Sequence, residues 1–160
     1  MVSYKRITSL LLLIGLSNLV QGQPINVAKE IYYLEYQREV MTGFVLDFQS
    51  YAISFVGNSN NRNEFEICSS LSEYVLSFIN NIEFIRYLLY LYQFIQTPTE
   101  KARFFDEIKK EILYLIMQNE MTSESINTQL SHTKNNQISY TGNKMKEAIR
   151  ECNSRLRKLL

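Results

Sequence analysis

Tryptophan is absent from this 160-residue chain, proline occurs twice, glycine five times and histidine once. So few turn-formers do not suit a fold of many short strands, and they do suit long helices. A lone histidine, His132, cannot build a His cluster or an HExxH site. The residue three before it is Gln129, so the Glu-x-x-His pair of di-iron bundles is missing too. P-loop, dinucleotide and GxSxG signatures are all lacking. The two cysteines, Cys68 and Cys152, have no CxxC context. Asn-x-Ser/Thr never occurs although asparagine is frequent, so no N-glycosylation is expected. Charge of one sign is lacking as well: 17 basic and 16 acidic residues leave a formal charge of +1. That argues against a nucleic-acid partner, which needs a basic excess.

What is present is apolar. The hydrophobic fraction is 46%, too high for a disordered chain and enough for one core in a chain of this length. The first stretch, "MVSYKRITSLLLLIGLSNLVQGQP", has the layout of a secretory signal peptide over residues 1–22. Lys5 and Arg6 precede the apolar run Ile7 to Leu16, and Val20 and Gly22 stand at the small-residue cleavage positions. The uncharged stretch Ile7 to Gly22 is shorter than the roughly 20 residues a transmembrane helix needs. The reading is an exported protein, periplasmic or extracellular, with a single domain over residues 23–160.

That domain carries helical seams. Val27, Ile31, Leu34, Arg38, Met41, Val45, Phe48, Ala52 and Phe55 step by four and three, as do Leu71, Val75, Phe78, Ile82, Ile85, Leu89 and Tyr92. Arg38 breaks the first seam and is expected to snorkel from its edge. "GNSNNRN" ends the first helix, with Gly57 or Asn58 taking the left-handed position after it. A second helix is expected over 65–96. "QTPTE" ends it and starts the next, with Thr97 as N-cap, Pro98 in the first turn and Glu100 completing a capping box. The third seam is Phe105, Ile108, Ile112 and Leu115, widened by Phe104, Leu113 and Ile116. Ile126 and Leu130 keep helical spacing through a polar stretch, and "NNQISYTGN" reads as a turn. Met145, Ile149, Cys152, Leu156 and Leu159 form a last amphipathic helix. The expected fold is all-α: an antiparallel up-down-up-down bundle of about four long helices.

In an oxidising compartment Cys68 and Cys152 are expected to form a disulfide. At about 1.5 Å of rise per residue, the up-down-up-down form with a third helix reaching Lys134 places the two at similar heights, whereas a last helix running straight down from Thr122 does not.

"SFINNIEFIRYLLYLYQFIQ", Ser77 to Gln96, carries aromatic rings among a dense set of Ile and Leu. Its uncharged part, from Tyr87, is too short to span a bilayer. A helix with one buried stripe does not need so many rings, and tyrosine is favoured where one side is apolar and the other wet. Carboxylate pairs such as Glu107 and Glu111 alternate with Lys and Arg, as in solvated ion pairs. The sequence therefore predicts a non-enzymatic bundle, without cofactor or metal, that binds another protein. Its candidate contact surfaces are the Tyr-rich outer face of Tyr87, Tyr90 and Phe94 and the polar apex near His132 to Asn143, which includes Tyr140. One alternative is a carrier that holds a small hydrophobic ligand between helices, walled by Phe78, Phe84 and Tyr92. Another is a membrane-active helical hairpin.

Overall fold

A computed structural model describes residues 26–57 and 61–160; the signal-peptide reading and Asn58 lie outside them. Asn26 starts helix α1, Val27–Phe55, by accepting the Lys29 amide on its side-chain oxygen at 3.1 Å. The helix stops at Val56, whose extended backbone leads into Gly57 at φ +82°. Only glycine enters that region without strain, so Gly57 takes the expected left-handed position. Helix α2 is Arg62–Phe94 and helix α3 is Pro98–His132. Between them Thr97 accepts the Glu100 amide at 3.4 Å and donates its hydroxyl to the Glu100 carboxylate at 2.6 Å. The predicted cap is there, with the glutamate bound to the hydroxyl. Helix α4, Asn136–Leu156, runs into a short 3-10 turn at Arg157–Leu159. No strand occurs among the described residues.

The helices form an antiparallel up-down-up-down bundle. Helix α1 packs against α2 and α4, and α3 packs against α2 and α4, so α1/α3 and α2/α4 are the diagonals. The core is mostly aliphatic and collects Leu34, Met41 and Phe48 from α1, Leu71, Val75 and Ile82 from α2, Ile108, Ile112 and Ile126 from α3, and Ile138, Met145 and Ile149 from α4. Each fully buried aliphatic side chain of this kind contributes roughly 1.5–3 kcal/mol.

Four local expectations change. The disulfide is not formed: Cys68 and Cys152 are both free, buried thiols. The Glu64 carboxylate accepts the Thr133 hydroxyl and, at 2.8 Å, the Lys134 amide, which sets the start of α2 level with the α3–α4 turn. Cys68 then lies about one turn below that level and Cys152 about five, a separation of roughly 20 Å on diagonal helices, against the 7 Å or less of a bridge. The topology inferred with the help of that bridge is nonetheless the one adopted, and the Ile126–Leu130 spacing alone accounts for it.

The turn at "NNQISYTGN" is far shorter than expected. Asn135 caps α4 by accepting the Gln137 and Ile138 amides at 2.9 and 3.3 Å, so "ISYTGN" is helical. Gly142 is spent on packing: a Cβ there would lie 2.5 Å from a Leu130 methyl. In α1, Gln37 takes the buried position next to Arg38, which swings to the seam edge as expected, 3.8 Å from Glu83. Leu113 faces outward at 51% exposure instead of widening the core.

Candidate functional site: an outward aromatic face

Helix α2 has two apolar faces. One is the core seam. The other carries Phe84, Tyr87, Tyr90 and Phe94, spaced three, three and four residues apart on the side away from the core. They are exposed to 48, 57, 50 and 60%. Tyr90 and Phe94 meet edge to face with ring centres 5.0 Å apart, a favoured geometry for the ring quadrupoles. The ions along this stretch neutralise each other. Arg86 donates to Glu83 through Nη2 at 2.7 Å and Nε at 3.1 Å, which raises the Arg86 pKa further. The lower half of the face is therefore apolar, ringed and without net charge.

Phe94 also edges an open groove of about 560 Å³ where α2 hands over to α3, with Ile95, Phe104, Glu100, Arg103 and Glu107. Its floor is apolar and its rim charged, the layout of a protein-contact patch.

The other two predicted residues are elsewhere. His132 is exposed at the far end of α3, where its carbonyl accepts the Asn63 side-chain amide at 3.3 Å. Tyr140 is exposed on α4 near the same end. Tyr87, Tyr90 and Phe94 lie at the opposite end of the bundle, most of the roughly 50 Å length of α3 away. The five fall on two separate patches, one at each end. Phe78, Phe84 and Tyr92 do not wall one space: Phe78 is buried, Phe84 faces out, and Tyr92 meets Phe105 at a tilt, ring centres 5.4 Å apart. The enclosed space beside Phe78 is about 30 Å³, room for about one water.

A second outward stripe went unread in the sequence. Leu113, Tyr114, Met117 and Met121 are all exposed on α3. The signal was there, since Leu113, Met117 and Met121 recur every four residues, but Leu113 stands close enough to the seam to be taken for part of it.

The reactive side chains are muted. Burial pushes both thiols up to about 12, so the nucleophilic thiolate is scarce at neutral pH. Burial also raises the Tyr33 phenol, whose ring lies under the Arg155 guanidinium at 4.0 Å. Arg155 is held in turn by Glu30 through two hydrogen bonds of 2.7 and 3.1 Å. Among the described residues no group of His, Cys, Asp and Glu gathers as a metal site, and no helix is long and apolar enough to cross a membrane.

The chain matches no family model, no curated protein and no solved structure.

Proposed function

We propose that this chain is exported and works, without catalysing a reaction, by binding another protein through the outward aromatic face of α2. One observation carries the reading: Phe84, Tyr87, Tyr90 and Phe94 stand about half exposed in a row whose ions cancel. Aromatic rings in a stretch depleted of charge are the composition of an interface centre, and tyrosine contributes contact area at low entropic cost. Export rests on the signal-like residues 1–22. Two free cysteines are compatible with an oxidising compartment because both are buried with raised pKa values.

The test is site-specific photocrosslinking in the source cell. A photoreactive residue at Tyr87 or Tyr90 is expected to give one discrete adduct with a second protein. The same residue at exposed Glu73 or Lys110 is expected to give none. Tyr87→Glu should abolish the Tyr90 adduct while leaving the circular dichroism unchanged. Adducts that are diffuse, or equal at all four positions, would remove the reading. N-terminal mass mapping of the released chain tests export, with Gln23 as the expected first residue.

A further inference from the structure

A groove of about 260 Å³ runs between α3 and α4, and its floor is partly polar where a bundle interior is ordinarily apolar. Two buried asparagines form that floor together with the buried Ile149. Asn119 donates its side-chain amide to the Asn153 side-chain oxygen at 2.6 Å. Each asparagine side chain has one oxygen acceptor and a two-proton donor. One mutual bond therefore leaves the Asn119 oxygen and the Asn153 amide unspent. Exchanging N and O on both residues reverses the bond but still leaves one donor and one acceptor. Neither remaining atom has a partner among the described residues, and neither is sealed from the groove. Above them, Glu124 projects from α3 and Arg150 from α4, both exposed and neither in an ion pair among the described residues. Glu120 and Arg157, which pair with each other, close one end.

We propose that this groove binds a small zwitterion bearing a carboxamide, of the amino-acid class. A carboxamide supplies one acceptor and two donor protons, the complement of the floor. An ammonium group answers Glu124 and a carboxylate answers Arg150, whose guanidinium favours carboxylate geometry. The volume is below the roughly 300–1,000 Å³ of drug-sized sites, which limits the ligand to about amino-acid size. Amide groups left unpaired by a wrong ligand penalise it, so the floor selects for the carboxamide and the rim for the charges.

The experiment is an NMR titration of the full-length ¹⁵N-labelled chain with L-glutamine. The side-chain amide signals of Asn119 and Asn153 are expected to shift saturably, with a dissociation constant of about 1 mM or tighter. L-Leucine, which has the same charges and no carboxamide, should leave those two signals in place. Arg150→Glu, at an exposed position, is expected to weaken glutamine binding about tenfold or more. Glu124→Lys serves as an independent variant and should weaken it likewise. The proposal is overturned by no saturable shift up to about 10 mM glutamine, by an equal response to leucine, or by unchanged binding in both charge variants.

Discussion

Helices α1 and α2 bury Leu34, Met41, Val45 and Phe48 with Leu71, Val75, Ile82 and Ile85, and only Gln37 and Ser72 interrupt the apolar lining. Helices α3 and α4 bury Asn119 and Asn153, bond them to each other, and seat Leu130 over Gly142. The first hairpin is held by quantity of apolar contact, the second by a few particular fits. The difference bears on register. Sliding α1 by a heptad along α2 exchanges one aliphatic side chain for another. Sliding α4 along α3 strands two buried amides, which costs about 1–3 kcal/mol for each group left unpaired, and drives a side chain into Leu130. Polar pairs at single positions fix register in this way in helical assemblies.

The largest expected effect uses the two thiols, one in each hairpin. Burial in the fold raises both thiols from an ordinary value of 9.0 to about 12. Between those values the unfolded chain releases protons that the folded chain keeps, so stability falls as pH rises. The slope is on the order of 1 kcal/mol per pH unit for each thiol. Across the window the loss reaches the roughly 5–15 kcal/mol that holds a typical domain. Helicity followed by circular dichroism should therefore collapse before pH 12. Cys68→Ala and Cys152→Ala should each remove about half of the slope, and a stability flat over this window contradicts the burial of both thiols.

Truncation of the aliphatic seam comes next. Ile82→Ala should cost about 2–5 kcal/mol in urea unfolding because the closed seam cannot refill the space. An Ile82→Ala cost below 1 kcal/mol would show the first hairpin to be loosely packed and would erase the contrast.

A double-mutant cycle of Asn119→Ala and Asn153→Ala should give a coupling of about 1 kcal/mol. Zero coupling would mean that the polar pair does not fix the second hairpin. The smallest pair of effects comes from two glycines. Gly142→Ala must push Leu130 aside and should cost about 1–2 kcal/mol. Gly43 is exposed with open space where a Cβ would stand, so Gly43→Ala should gain roughly 0.5–1 kcal/mol. Thermal melts of both variants check the opposite signs.

The same contrast explains how much could be read in the sequence. Seams repeating by four and three made all four helices legible, and Thr97-Pro98-Thr99-Glu100 fixed one boundary closely. The second hairpin was harder. Gly142 looked like a turn because a glycine needed for close packing carries no local mark that distinguishes it from one needed for a bend. The cysteine pairing failed because "ISYTGN" looked like turn: α4 starts at Asn136, about two turns earlier, and so carries Cys152 well below the level of Cys68. Tyr87, Tyr90 and Phe94 were legible as surplus rings on a helix whose seam was already filled. The Asn119–Asn153 floor was not, since two asparagines become a pair only when α3 and α4 are laid side by side.

Charge is unevenly shared along the chain. Helices α1, α2 and α3 each contain two more acidic than basic residues, whereas the segment from Asn136 onward holds six basic and two acidic. Arg155 reaches Glu30 on α1 and Arg157 reaches Glu120 on α3. The last helix thus spans the gap between two acidic neighbours and sits diagonal to the third.

The Glu30–Arg155 clasp joins positions 125 residues apart, so during synthesis the side of α1 that meets α4 waits until α2, α3 and α4 have all been made. Helices α1 and α2 can pair as soon as both have emerged, since neighbouring segments close at little entropic cost. Until α4 arrives, that hairpin carries an open apolar flank, a target for chaperones and an opening for a second nascent chain. The acid–base match between the late helix and its two early neighbours then draws α4 in ahead of such competitors.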